Sequence, residues 1–223
     1  MPYSIAIDGP AGAGKSTIAK KIAKKLKFIY VDTGAMYRAM AIYFIKNNID
    51  PKDEESVNVA CDNVNITIEY INDEQQVILN GENITGILRS EEVGNMASKT
   101  SVYAKVRSKL VDIQKELAKT TDIIMDGRDI GTTVLPNANV KIYLTASVEA
   151  RASRRYRELL EKGQDADFES IRMDIENRDY QDMNRENSPL RQAEDAVLVD
   201  TSELNIEQTV DAIINVINNK KSE

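Results

Sequence analysis

Gly9-Pro10-Ala11-Gly12-Ala13-Gly14-Lys15-Ser16 constrains this chain more than any other stretch, because it fits G-x-x-x-x-G-K-[ST] directly after a short apolar run, Ser4-Ile5-Ala6-Ile7-Asp8. Glycines let successive backbone N–H groups turn inward on one oxyanion. The lysine ammonium can then reach β- and γ-phosphates, and the serine hydroxyl can hold Mg2+. Behind the loop, residues 17–26 place apolar side chains at helical spacing, so a phosphate would sit at a helix N-terminus whose dipole favours an anion. Residues 9–17 are thus the candidate ATP site: Gly9, Pro10, Ala11, Gly12, Ala13, Gly14, Lys15, Ser16 and Thr17, with Ser16 the candidate metal ligand. A glycine-rich turn without a ligand is the bland alternative, and the flanking strand and helix argue against it.

Composition removes other chemistries. The chain has 223 residues, a formal charge of -7, one cysteine (Cys61) and no histidine. Ser-His-Asp and Cys-His catalysis and histidine-ligated metals are excluded, leaving carboxylates, lysine and arginine. The acidic balance gives no electrostatic support for a nucleic-acid or anionic-membrane partner, so any phosphate site must be built locally. No run reaches the roughly 18 apolar residues of a membrane span, and Met1 is followed almost at once by the first strand, so a reducing cytoplasm is the expected home.

Short apolar runs alternate with helical patterns, which predicts an α/β fold: a five-stranded parallel sheet covered by helices on both faces. The expected strands are residues 4–8, 28–31, 122–126, 140–144 and 196–200. Between residues 60 and 88 the period switches to two, with Val64, Ile66, Ile68 and Tyr70 on one side. Asn72-Asp73-Glu74 reads as a turn and Asn80-Gly81 as a hairpin, so a small antiparallel insert is expected there. Pro51 and Asp53-Glu54-Glu55 mark its boundary. Helical pattern runs through residues 91–118, 148–162 and 168–185. A last amphipathic helix carries Ile206, Val210, Ile213, Ile214 and Ile217, with Thr201 or Ser202 available as cap.

In open α/β sheets ligands bind beyond the carboxyl ends of strands. There the sequence is polar: Asp32-Thr33 with Tyr37-Arg38 following, and Asp126-Gly127-Arg128-Asp129. Asp126 could be the acid that holds Mg2+, while a helix cap at Asp32 and a solvated turn at 126–129 are the plain alternatives. Ile171, Ile175, Arg178, Asp182 and Arg185 share one helical stripe that begins apolar and turns charged. Arg151, Arg154, Arg155 and Arg157 crowd the preceding helix, either as a lid or as surface ion pairs. Ser98 and Arg107 signify nothing by themselves.

Together these motifs resemble the bacterial-type cytidylate kinases, a family of nucleoside monophosphate kinases. The quotable parts are residues 7–16, Asp32-Thr33-Gly34-Ala35-Met36-Tyr37-Arg38, Asp126-Gly127-Arg128-Asp129-Ile130-Gly131-Thr132, Arg151-Ala152-Ser153-Arg154-Arg155-Tyr156, and the run from Arg178-Asp179 to Asn184-Arg185. The resemblance covers nearly the whole chain; Thr33 stands where serine is expected. It implies one kinase domain with a core at 1–49, 89–147 and 186–223, a monophosphate-binding β insert at about 50–88, and a short lid with flanking helices at about 148–185. It implies ATP-dependent phosphorylation of CMP and dCMP with Mg2+, by a monomer that takes only small-molecule partners. By position, Lys15, Arg128, Arg151 and Arg155 would serve transfer. Thr33, Arg38 and Arg128 would grip the acceptor phosphate, beside Tyr37. Ser98, Arg107 and Asp129 would read cytosine, and Arg178, Asp182 and Arg185 would line the ribose and phosphate region. Another P-loop kinase, acting on UMP, shikimate or dephospho-coenzyme A, and a regulatory NTPase are the alternatives.

Overall fold

The computed structural model describes residues 2–72 and 74–222, so Asp73 of the expected turn lies outside the described residues. The chain runs β1 (Ser4–Asp8), α1 (Lys15–Leu26), β2 (Ile29–Asp32), α2 (Thr33–Lys46), α3 (Glu54–Asp62), β3 (Ile66–Ile71), β4 (Glu74–Leu79) and β5 (Glu82–Asn83). It continues through α4 (Glu91–Thr100), α5 (Ala104–Leu117), β6 (Ile123–Gly127), β7 (Val140–Thr145), α6 (Val148–Glu161), α7 (Phe168–Asn184), β8 (Val197–Asp200) and α8 (Ile206–Ser222). Five strands form a parallel sheet in the order β2-β6-β1-β7-β8, and β3-β4-β5 form a separate antiparallel sheet.

Register sets the site. Asp32 pairs with Asp126 and Asp8 with Gly127, so three strands deliver acidic ends to one level of the sheet edge. Alternation along the strands feeds two cores. Ala6, Val31, Ile123 and Met125 face α2, α4 and α5, while Ile5, Ile7, Tyr30 and Ile124 face α1 and α8.

The insert is not a detachable module. Ile66, Val77, Leu79 and Ile84 belong to the same buried cluster as Met36, Met40 and Phe44 of α2. Two polar contacts fasten it to β2, an edge strand of the main sheet. The Gln75 side chain accepts from the Asp32 N–H at 2.7 Å and donates to the Asp32 carbonyl at 3.3 Å, and the Tyr70 hydroxyl donates to the Tyr30 carbonyl at 3.1 Å. They satisfy backbone groups that an open edge would leave to solvent.

Several expectations need correction. A helix, α3, precedes the small sheet: Asp53 caps it by accepting from the Ser56 N–H, and Val57, Ala60 and Cys61 bury its inner face. The helical stretch at 91–118 is two helices, broken at 101–103. Neither Thr201 nor Ser202 caps α8. Asn205 does, accepting from the Gln208 N–H at 2.9 Å while the Gln208 side chain accepts from the Asn205 N–H at 3.0 Å. Ile206 is exposed, whereas Val210, Ile213 and Ile217 are buried. A π-helical turn, Ile130–Val134, follows β6, in a stretch for which the sequence reading assigned no element.

Candidate active site

At the P-loop, Gly9 has φ +152° and a Cβ there would stand 1.9 Å from the Leu144 carbonyl oxygen, so only glycine fits. Lys15 opens α1, buried, with Nζ donating to the Pro10 carbonyl at 2.7 Å. Burial, then the Arg128 guanidinium, lowers its pKa to about 7. The Ser16 hydroxyl donates to Asp126 Oδ2 at 3.0 Å, and the Tyr30 hydroxyl donates to Oδ1 at 2.7 Å. Burial, followed by the Asp32 carboxylate, raises Asp126 to about 6. Ser16 and Asp126 form an all-oxygen donor pair beside the loop, which suits a hard cation such as Mg2+ completed by water and nucleotide phosphate.

Arg151, on α6, lies against the P-loop. Its Nε donates to the Ala146 carbonyl at 2.9 Å, one Nη donates to the Ala11 carbonyl at 3.0 Å, and the other pairs with Asp179 at 2.7 Å. Arg155, one turn further along α6, points to solvent with 47% of its side chain exposed and pairs with Glu158 at 3.0 Å. The surface-pair alternative describes Arg155; it does not describe Arg151.

Beyond the end of β6, Arg107 and Asp129 pair at 2.5 Å with side chains only 5% and 7% exposed, and the Arg107 guanidinium lies 5.5 Å from the Tyr37 ring centroid. Arg185 reaches Asp129 at 3.5 Å and Asp182 at 3.7 Å, and Asp182 accepts from Arg128 Nε at 2.7 Å. One network, buried at the Arg107–Asp129 end and partly exposed at the other, therefore runs Arg107, Asp129, Arg185, Asp182, Arg128. The Arg107 Nε is buried without a hydrogen-bond partner. Burial pushes the Tyr37 phenol up to about 12. Arg178 falls to about 10, through burial first and then repulsion from Arg128, with Arg38 adding to it. Guanidiniums that depress one another make a site that gains when an anion arrives.

The model of the cytidylate kinase family matches residues 5–219. A cytidylate kinase of Enterococcus faecalis is 50% identical over 97% of this chain and 96% of its own length, and one of Carboxydothermus hydrogenoformans is 46% identical over 97% of each. The chain belongs to the cytidylate kinase family. Among solved structures, an uncharacterized protein from Eubacterium ventriosum (11% identical, TM-score 0.55, covering 98% of this chain and 99% of that one) has a similar fold. So does a shikimate kinase from Acinetobacter baumannii in complex with shikimate (16% identical, TM-score 0.50, covering 100% of this chain and 97% of that one). At those identities the likeness shows the fold alone.

Of the residues singled out by resemblance to cytidylate kinases, Arg107, Asp129, Arg128, Asp182 and Arg185 meet in one network, with Arg178, Arg38 and Tyr37 around it. Thr33 is buried and its hydroxyl donates to the Asp126 carbonyl at 2.7 Å, so its one proton is committed. Ser98 is half-buried on α4; its carbonyl accepts from the Ser101 hydroxyl, and the Ser101 carbonyl accepts from Arg107. Asp32 caps α2 by accepting from the Ala35 N–H. Sequence reasoning gave no role to Tyr30, Asp179 or Asp8. Asp179 carried a signal, since it is four residues past Ile175 and three before Asp182, on the edge of the same stripe. Asp8 carried one too, as a carboxylate ending an apolar strand.

Proposed function

We propose that the protein transfers the γ-phosphoryl group of ATP to CMP and dCMP, and that the buried Arg107–Asp129 pair is where cytosine is read. That pair carries the reading. A desolvated arginine and carboxylate with one guanidinium nitrogen left unpartnered present both a donor and acceptors to a planar base. Cytosine offers an amino donor at position 4 and an acceptor at N3, so Asp129 or Ser98 would accept from the amino group and Arg107 would donate to N3 or O2. Uracil reverses both positions.

The acceptor phosphate would lie among Arg38, Arg128 and Arg178, with Thr33 joining once its hydroxyl turns from the Asp126 carbonyl. Asp182 and Arg185 would meet the ribose. A nucleoside monophosphate is already an anionic nucleophile, so no strong base is required and the absence of histidine costs nothing. Lys15 would leave the Pro10 carbonyl for the β- and γ-phosphates, and Gly9 to Thr17 would cradle them by their N–H groups. Ser16 directly, and Asp126 directly or through water, would hold Mg2+, which when bound supplies charge neutralisation across those phosphates. Arg151 would hold the loop and the lid together on the donor side; Arg155 would reach the transferring group only after lid movement. The insert and lid, about 50–88 and 148–185, would act as the acceptor-side and closing parts of one domain. A cytoplasmic monomer completes the proposal. ADP formation from Mg-ATP, measured against CMP, dCMP, UMP, shikimate and dephospho-coenzyme A, tests it: CMP and dCMP should lead, and a lead by UMP, shikimate or dephospho-coenzyme A would replace it with the alternative kinase reading.

A further inference from the structure

Asp8 ends β1, directly precedes the first glycine of the P-loop, and is buried. Its two carboxylate oxygens do not face a phosphate site. Oδ1 accepts from the Ile130 N–H at 2.8 Å and Oδ2 from the Gly131 N–H at 2.7 Å. These donors head the π-helical turn, whose first N–H groups have no partner earlier in the turn. Later ones close within it: Thr133 and Val134 donate to the Asp129 carbonyl, and Leu135 to that of Ile130. The segment fits tightly. A Cβ on Gly131 would come within 3.1 Å of Lys141 and 3.4 Å of Asp8, and one on Gly127 would stand 2.7 Å from Ile130 and 2.9 Å from the Thr33 hydroxyl. Arg128 and Asp129 are suspended between Gly127 and this anchored turn.

We propose that Asp8 is a positioning residue for the acceptor base: its carboxylate fixes, from the P-loop side, the turn that carries Arg128 and Asp129, and so sets how Asp129 meets Arg107 and cytosine. This rests on the cytosine-reading role proposed for that pair. Asp8 also joins the donor loop and the acceptor turn through one side chain, so the two half-sites share a reference point.

Asp8→Asn keeps one acceptor and turns an amide donor against an N–H, and Asp8→Ala removes both acceptors. Each variant should raise KM for CMP at least about tenfold and narrow the CMP-over-UMP ratio in kcat/KM at least about fivefold, while KM for ATP stays within about threefold. Loss of thermal stability with KM for CMP and the CMP-to-UMP ratio unchanged would mean Asp8 is only structural, and the proposal fails. Hydrogen exchange in the wild-type, nucleotide-free protein gives a readout that needs no variant. The Ile130 and Gly131 amides should be protected as strongly as those of β6, and fast exchange at both would overturn the proposal. Wild type that phosphorylates UMP as well as CMP would instead remove the cytosine-reading assignment on which Asp8 was placed.

Discussion

Lys15 and Asp8 are buried titratable groups a few residues apart, one turned onto a carbonyl and the other onto two backbone N–H groups. Replacing Lys15 by Met removes a buried charge whose pKa is already down to about 7, so the fold should survive. Transfer should fall by at least about a hundredfold, because the charge that grows between β- and γ-phosphates loses its nearest cation. Activity within tenfold of wild type would contradict the placement of ATP. Asp8 titrates in the opposite sense. Burial, opposed by its two N–H bonds, raises it from 3.8 to about 6, so the folded chain holds this proton where the unfolded chain has lost it. The stability it contributes is present below pH of about 4 and lost as pH rises to about 6. The stability difference between wild type and Asp8→Asn, by denaturant unfolding without nucleotide, should therefore shift against wild type across that window; a constant difference would contradict it. Lys15 and Asp129 were legible as motif positions, whereas Arg107 signified nothing by itself and was singled out only through the family resemblance. The pairings were not legible, because Arg107 finds Asp129 and Arg128 finds Asp182 across 22 and 54 residues of chain, and no local spacing encodes that.

Besides the edge-to-face contact of Tyr156 with Phe168, α6 and α7 are joined by Arg151 and Asp179, a buried ion pair 2.7 Å apart that also reaches the P-loop through the Ala11 carbonyl. Removing one partner of such a pair leaves a charge uncompensated, so Arg151→Ala should cost about 3 kcal/mol or more and lower kcat, whereas Arg155→Ala should change stability by under about 1 kcal/mol. Equal effects from the two, measured by unfolding and by initial rate, would contradict the division of α6 into a buried and a solvent-facing arginine. Leu79→Ala probes the insert. Its side chain lies in the cluster shared with α2, so the loss should be about 2–5 kcal/mol, within a single unfolding transition of the whole chain. A separate low-temperature transition for the insert would contradict the shared core. Helices with continuous apolar stripes were legible at this scale, as was the Asn80-Gly81 hairpin, whose two residues have φ of 49° and 86°. Helix α3 was not, because Val57-Asn58-Val59 alternates as a strand would; its helical state follows from the Asp53 cap and from a pocket that takes Val57, Ala60 and Cys61 at positions i, i+3 and i+4. The π-helical turn has no periodic signal, and its first two N–H groups, those of Ile130 and Gly131, are satisfied by Asp8, 122 and 123 residues away.

Across the whole molecule, alternation of apolar runs and helical patterns was enough for a parallel α/β sheet. Strand order and the level at which Asp8, Asp32 and Asp126 end are tertiary facts that the pattern does not contain. Among the described residues no helix is long and apolar enough to cross a membrane. The acidic chain gathers Arg107, Arg128, Arg151, Arg178 and Arg185 near the P-loop edge, four of them paired with Asp129, Asp179 and Asp182, so its cations are concentrated where a phosphate would arrive. Base choice at that site is the claim on which the account depends. A site built to hydrogen-bond one pattern can reject its mismatch by roughly 10⁴. The deciding measurement is kcat/KM for CMP and UMP, in wild type and in Arg107→Met, with saturating Mg-ATP. The account predicts a wild-type preference for CMP of at least about a hundredfold, narrowed in Arg107→Met chiefly by loss of CMP activity; equal use of UMP and CMP by wild type, or a ratio untouched by Arg107→Met, would contradict it.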